Sequence, residues 1–517
     1  MASAARDRRG RGRRRGRSGT SDKPTITQVA WKQPRRHFEP TNLVTEEQIE
    51  IIHQTSLQIL EELGVEFLDE ETRDLLEATG GVKVDEMMVR FDPEFVEEVI
   101  KTAPSEFTLH APNPEKNLQM GGDAVAFGAV SSAPNVSDEE GGRRQGNRKD
   151  FQNLIRLAST INTVHLWPGY PVEPVDIHAS VRHLEATYDF LTLSDLFMHA
   201  YSLHRQKNRD GLEMIKIARQ IDEETLQTEP SMMSIINCNS PLRYDSPMTQ
   251  GILEFSSRNQ VICITPFTLA GAMAPVTIAG AMSQHNAEAL AGIALTQVVR
   301  PGSPVIYGGF TSNVDMQSGA PAFGTPEAMQ TSIITGQLTR RYGIPYRSSG
   351  VNAANAIDAQ AAYESVFSLW GAIMGGSHVL VHAVGWMEGG LRASYEKMVL
   401  DADLCGMVQT FLEPIDFSTD ALAMDAIREV GPGGHYFGTQ HTLDRFRTAF
   451  YKPIISDWRN YESWEEAGKP ESKQRIIEVV GQLMDSYEEP DIDEAVKEEL
   501  REYVDRRIAE GGVATDF

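Results

Sequence analysis

The chain has 517 residues, 41% of them hydrophobic and 23% charged, enough to bury one large core with decorations or two to three domains. A net charge of −25 excludes generic nucleic-acid affinity for the body of the protein, because phosphate binding rests on clustered Lys and Arg. Three cysteines, Cys238, Cys263 and Cys405, with no pair at metal-ligand spacing, exclude a disulfide scaffold and a thiolate zinc site and point to a reducing compartment.

Residues 1–24 form an Arg/Gly-rich tail in which Arg6, Arg8, Arg9, Arg11, Arg13, Arg14, Arg15 and Arg17 are interleaved with Gly and Ser. Such a segment cannot bury enough apolar surface to repay its ordering, so disorder is expected, either as a solvated arm or as one that docks RNA or a partner. It lacks the apolar core of a secretory signal, and no run of about 18 apolar residues occurs anywhere, so the expectation is a cytoplasmic protein without a membrane span. Residues 25–120 read as an N-terminal helical cover. A helix starts after Thr45, with Ile49, Ile52, Ser56 and Leu60 on one stripe and a capping box from Thr45 to Gln48. A second helix runs from Pro93 to Thr102, and a strand from Phe107 to His110.

Residues 121–468 alternate short apolar runs with helix-length stretches. Strands are predicted at Val125–Val130, Thr163–Trp167, Leu196–His199, Met232–Cys238, Val261–Pro266, Pro304–Gly308, Tyr346–Ser349 and His378–Ala383. Helices are predicted near Asp150–Ile161, His178–Phe190, Asp210–Asp222, Met248–Arg258, Asn286–Val299, Glu327–Tyr342, Ala359–Met374 and Tyr395–Thr410. Strand then helix, repeated around the chain, is the pattern of an α/β (β/α)₈ TIM barrel, whereas a doubly wound sheet more usually stops at five to seven strands. The first strand is the least defined, since Gly121 to Val130 also fits a hairpin arm. Residues 469–517 read as an acidic helical tail, with Ile476, Val479, Val480 and Leu483 on one stripe that serves a solvated helix, a cap or an oligomer contact.

In such a barrel the loops after the strands carry the chemistry. The glycine-rich loops Thr268–Pro275 and Thr311–Pro326 would make lids or walls over it. Tyr307, Phe310, Tyr346, Trp386, His435, Tyr436 and Phe437 are candidates to converge on a methylated ammonium, attracted to aromatic faces by about 0.5–2 kcal/mol per ring. Glu388 would add charge. Asp358 is placed to cap a helix, Gln360 shares a face with Glu364, and His441 opens a further helical segment. His204, His285 and His378 are scattered and read as structural. No phosphate-cradling loop, H-E-x-x-H, G-x-S-x-G elbow or strand-linked G-x-G-x-x-G is present. Asp176-Ile177-His178 matches the start of a corrinoid-binding D-x-H-x-x-G motif, but Val181 stands at the glycine.

Three stretches, SSGVNAANAIDAQAAYE at Ser348–Glu364, GGHYFGTQHTLDRFR at Gly433–Arg447 and YKPIISDWRNYESWEEAG at Tyr451–Gly468, resemble the trimethylamine methyltransferase family of corrinoid-dependent enzymes. The resemblance runs from about Leu43 to the C-terminus. It implies a (β/α)₈ enzyme that moves a methyl group from a methylated amine, held deep in the barrel, to the Co(I) of a separate corrinoid protein docked over its mouth. No cofactor would be held tightly by this chain. One branch of the family carries pyrrolysine in the loop matching roughly Ala353–Ile357; here Ala354 and Asn355 stand in that loop, with no pyrrolysine anywhere. A quaternary donor such as glycine betaine fits that departure, because attack on N⁺–CH₃ releases a neutral amine without a proton transfer, and for the carboxylate of such a betaine Arg347 and His382 are the candidates. The resemblance therefore implies a methyltransferase with a methylated amine and a corrinoid protein as partners; Glu388, His382 and Asn355 are the candidate catalytic residues, and a homo-oligomer is expected. A trimethylamine-type activity, a barrel lyase or hydrolase using a base near Glu388 or His382, and a binding protein for methylated amines remain as alternatives, the last extending to nucleic acid only through the Arg-rich tail.

Overall fold

The computed structural model describes residues 26–200 and 204–515, so the Arg-rich tail lies outside the described residues. Its centre is a closed parallel barrel. Strands β1 (Ala126–Ala129), β2 (Leu166–Trp167), β3 (Phe197–His199), β4 (Met232–Ile236), β5 (Val261–Ile264), β6 (Val305–Gly308), β7 (Tyr346–Ser349) and β8 (Val379–Val384) pair in chain order, and β8 closes on β1. Seven of these strands fall within their expected stretches, the doubtful first one included, and β8 runs one residue past the expected Ala383. The principal helices are α1 (Arg148–Ser159), α2 (Arg182–Leu193), α3 (Arg205–Arg219), α4 (Ser246–Ser257), α5 (Ile278–Val299), α6 (Pro326–Tyr342), α7 (Ala359–Gly375) and α8 (Tyr395–Phe411). α5 begins two turns before the expected Asn286, because Ile278–His285 is rich in Ala and Gly and carries no strong apolar stripe.

Alternation along the strands divides the barrel interior into two levels. Near the strand N-termini, Leu166, Phe197, Met233, Val261, Ile306 and Val379 form one apolar cluster with Leu109, Leu118 and Met120 of an antiparallel hairpin, Phe107–Leu109 with Leu118–Met120. The hairpin seals the barrel floor, and burying each of these side chains is worth roughly 2 kcal/mol. Toward the strand C-termini the interior positions turn to His199, Ile235, Arg347 and His382, and the packing opens into a cavity.

The segment before the barrel is mixed rather than purely helical. The helix Glu46–Gln58 has the expected Thr45/Gln48 capping box, but Val65–Phe67, Met88–Phe91 and Val82–Asp85 form a sheet completed by Arg243–Tyr244. Short alternating stretches such as VKVD, half-buried at Val82 and Val84 and exposed at Lys83 and Asp85, carried that signal. The two expected lid loops pair into a small sheet over the barrel, Thr268–Ala270 with Thr311–Val314 and Pro321–Ala322. The C-terminal helices Ser472–Asp485 and Glu494–Ala509 bury Ile476, Val479, Leu483, Leu500 and Val504. The second is pinned by the fully buried Asp210 carboxylate, which accepts hydrogen bonds from Tyr503 Oη at 2.9 Å and Arg507 Nε at 2.8 Å.

Candidate active site

A cavity of about 520 Å³ occupies the C-terminal end of the barrel and is lined from all of its strands. Ser131 and Ser132 follow β1, Pro168 to Tyr170 follow β2, His199 ends β3, and Ile235 and Asn237 come from β4 and just after it. Phe267 follows β5, Phe310 follows β6, Arg347 projects from β7, and His382 and Trp386 come from β8 and its loop.

Arg347 faces inward because its neighbours on β7 face outward: Tyr346 Oη donates to the Ser332 carbonyl at 2.7 Å, and Ser348 Oγ lies 2.8 Å from Ser332 Oγ. Arg347 is 2% exposed, and its guanidinium sits 5.1 Å from the Phe310 ring centroid. Among the described residues its one hydrogen bond is long, 3.5 Å from Nη1 to the Gly309 carbonyl, and its Nε is buried without a partner. Among the described residues no carboxylate forms an ion pair with it. Burial draws its pKa down to about 10, with only Cys263 and Tyr346 pulling upward, so it stays charged at neutral pH. A buried arginine lacking a counter-ion is costly to a protein and is met where a ligand supplies the anion.

His382 would face outward if β8 kept its alternation, since Val379 and Val381 face the interior cluster. A register shift between Leu380 and Val384 and a φ of 60° at His382 turn its ring into the cavity instead. Left-handed backbone at a bulky residue is strain of the kind that concentrates at functional sites. The His382 Nε2 lies 2.8 Å from Ser131 Oγ, while Nδ1 is buried without a partner. Burial, reinforced by the Arg347 charge, holds the imidazole well below its usual pKa, so the ring is neutral. Its face stacks on Trp386 at 5.2 Å. Trp386 meets Phe323 edge-on at 5.3 Å, and Phe310 lies 4.9 Å from Phe267 and 5.8 Å from Phe323. The result is an aromatic wall around one buried cation. Gly390 belongs to it: φ is 100°, and a Cβ there would meet the Trp386 ring at 2.8 Å.

Of the residues singled out from sequence, the structure brings Phe310, Arg347, His382 and Trp386 to this cavity and places the others elsewhere. Tyr307 and Tyr346 point out of the barrel into the helices, because each is one position out of phase with the inward-facing set; Tyr307 Oη donates to Asn286 Oδ1 at 3.0 Å. Glu388 sits at the rim, ion-paired to Arg143 at 2.9 Å and Arg392 at 3.1 Å. Asn355 is exposed, its carbonyl accepting from Arg392 at 2.8 Å. Gln360 donates to Glu364 Oε1 at 2.7 Å, and Glu364 Oε2 in turn accepts the N–H groups of Ala353 and Ala354 at 2.8 and 3.0 Å. Thus the 352–364 stretch braces the wall rather than lining the cavity: Asn352 Nδ2 donates to the Trp386 carbonyl at 2.8 Å, and Gly389 N–H to the Asn352 carbonyl at 3.1 Å. Asp358 caps α7 as expected. His435 and Tyr436 are exposed on a segment outside the barrel, and His441 is half-buried within it.

The trimethylamine methyltransferase family profile matches residues 8–512. The chain belongs to the trimethylamine methyltransferase family. Among its relatives, the glycine betaine methyltransferase of Desulfitobacterium hafniense (strain Y51) is 35% identical over 91% of this chain and 98% of that protein. The trimethylamine methyltransferase MttB of Desulfitobacterium hafniense (strain DSM 10664 / DCB-2) is 26% identical over 91% of this chain and 95% of that one. In fold the chain is similar to the monomethylamine methyltransferase MtmB of Methanosarcina barkeri, with a TM-score of 0.51 at 12% identity over 86% of this chain and 87% of that one. As a family member the protein is a methyltransferase.

Sequence reasoning about this family member missed Ser131, Tyr170, His199 and Phe267. Phe267 directly follows the strand ending at Pro266 and His199 ends its strand, so position at a strand C-terminus was the available signal. Ser131 carried the same signal, directly following the strand predicted to end at Val130, and its contact with His382 shows why it matters. His199 is held neutral by burial, its pKa drawn down to about 3, and Glu173 at the wall is ion-paired to Arg182 at 2.6 Å. The deep end of the cavity therefore carries one net positive charge, from Arg347.

Proposed function

We propose that the enzyme binds a small betaine, with its carboxylate on Arg347 and His382 and its trimethylammonium group against the Phe310–Phe267–Trp386 wall, and passes one N-methyl group to the Co(I) of a separate corrinoid protein. The observation that carries this reading is the buried Arg347 without a protein carboxylate, beside unpartnered Nδ1 of His382 and an aromatic wall. A carboxylate would pair with the guanidinium and an ammonium with the ring faces, two interactions that both strengthen out of water. In the transfer the Co(I) electron pair forms the new Co–CH₃ bond, and the C–N electron pair returns to nitrogen as a neutral tertiary amine. No proton moves, so the task of the protein is to orient N⁺–CH₃ toward the mouth and exclude water. The neutral His382 suits this, donating or accepting a hydrogen bond without adding a second charge.

Glycine betaine is the member of this class favoured by the 35% identical relative named for it. Trimethylamine is the weaker reading: it has no carboxylate and would leave Arg347 unpaired, and the chain has no pyrrolysine. Free cysteines, all buried, support a reducing cytoplasm, and no helix among the described residues is long and apolar enough to cross a membrane. The corrinoid is read as belonging to the acceptor protein. The test is loss of the Co(I) absorbance when the enzyme is mixed with reduced corrinoid protein and a panel of methylated amines. Loss with glycine betaine and none with trimethylamine is the expected result; silence across the panel with a cognate corrinoid protein would overturn the methyl-transfer reading.

A further inference from the structure

The chain between α8 and Tyr451 is an arm that packs on itself. α8 ends at Phe411, and the backbone is fastened to it again where Tyr451 Oη and the N–H groups of Ile454 and Ile455 donate to the Asp403 carboxylate at 2.6, 2.9 and 3.2 Å. In between lie two short helices, Met424–Val430 and Gln440–Arg445. Among the described residues, every hydrogen bond and ion pair made from Phe417 to Phe450 joins the arm to itself, as in Arg445 to Asp420, Arg428 to Asp425 and Thr442 to Thr439. Its apolar side chains nevertheless face outward: Ile415 is 78% exposed, Phe417 74%, Phe437 84% and Phe450 83%. An apolar surface this extended marks an interaction site.

A receiving surface lies at the root of the same arm. Tyr363, Phe367 and Trp370 fall on one face of α7 at spacings of four and three, and Phe411 closes edge-on against Trp370 at 4.8 Å. Tyr363 and Phe411 are more than half exposed, and Phe367 is 43% exposed.

We propose that the arm packs on the α7–α8 face of a second copy of this chain, the two copies exchanging arms about a two-fold axis. Arm and face sit side by side on one polypeptide, so a single two-fold rotation satisfies both at once, which is how an isologous interface closes. The area is also sufficient. Buried aromatic side chains hide about 150–250 Å² each, so an arm with this many half-exposed or more exposed apolar residues covers roughly 800 Å² per copy, the size of a stable interface. The proposal goes beyond the methyl-transfer reading and does not depend on it.

Light scattering on the full chain tests it. The expected mass is twice the 57.3 kDa of one chain or a larger even multiple. Phe437→Asp with Phe450→Asp on the arm should at least halve that mass. A charged substitution could unfold the arm, so Phe367→Asp on the receiving face is the second variant, and it should halve the mass with unchanged circular dichroism. A wild-type mass of 57.3 kDa, or a Phe367→Asp variant that keeps the wild-type mass, would overturn the proposal. So would arm amides that gain protection from hydrogen exchange only when a corrinoid protein is added, since the occupant would then be that protein.

Discussion

Arg347 distinguishes a betaine from other methylated amines, because a buried guanidinium discriminates through the anion it lacks. Replacing it with Met should lower kcat/KM for glycine betaine on the order of 10²-fold, about 3 kcal/mol, and erase the preference over a quaternary amine without a carboxylate. Steady-state methyl transfer with both substrates checks this. Trp386→Ala should cost about 1–2 kcal/mol, mostly in KM, through loss of one ring face and of the stacking that orients His382. Phe310, His382 and Trp386 were legible in the sequence because they stand near the end of a predicted strand, and Arg347 because it is a cation on the predicted strand Tyr346–Ser349. Tyr307 and Tyr346 lie on strands of the same barrel, yet they face the helices. Strand phase decides this, and a short run apolar on both faces carries no phase information. His382 shows the converse, since a bulge turns inward a residue that simple alternation sends out.

At the scale of elements, the wall depends on what holds the loop after β8. Asp401, 1% exposed on α8, accepts the Gly385 N–H at 2.8 Å and is ion-paired to the fully buried Lys397, which also donates to Ser365 at 2.9 Å. Asp401→Ala would strand the Lys397 charge, and a loss of about 3–5 kcal/mol in urea unfolding is expected. Gly390→Ala should act more locally: its Cβ would push on the Trp386 ring and its φ of 100° would strain an alanine, changing tryptophan fluorescence, raising KM and costing about 1–2 kcal/mol in urea unfolding. The eight strands and their helices were legible because each apolar run is bounded by Gly, Pro or polar residues and followed by a helix-length stretch. The sheet in the N-terminal cover was less so. Its strands are three or four residues long, and one partner, Arg243–Tyr244, lies far away in sequence.

For the whole molecule, buried neutral histidines set an acid limit. Burial draws the pKa of His165, His285 and His378 down to about 4 and that of His199 to about 3. In the unfolded chain each titrates near 6.5, so below that pH the unfolded state binds more protons than the folded one. Their stabilising contribution is therefore complete above about pH 6.5 and is lost as pH falls toward 4, each histidine adding a slope of up to about 1.4 kcal/mol per pH unit. Urea midpoints measured from pH 8 to 4.5 should fall steeply below 6.5, whereas a flat profile would contradict the burial of these rings. The barrel as a whole was readable from alternation, but the arm after Phe411 was not: its aromatic residues suggested a site, whereas the folded chain leaves Tyr436 and Phe437 exposed and outside the cavity lining.

The most direct test of a cavity built for one molecule with two opposite charges is calorimetric titration of the wild-type enzyme with glycine betaine, its uncharged-head isostere 3,3-dimethylbutanoate, and tetramethylammonium. Glycine betaine should bind at one per chain and at least about tenfold more tightly than either fragment-like analogue, because only it engages Arg347 and the aromatic wall together. Equal or tighter binding of tetramethylammonium would contradict the role of Arg347 as the carboxylate anchor.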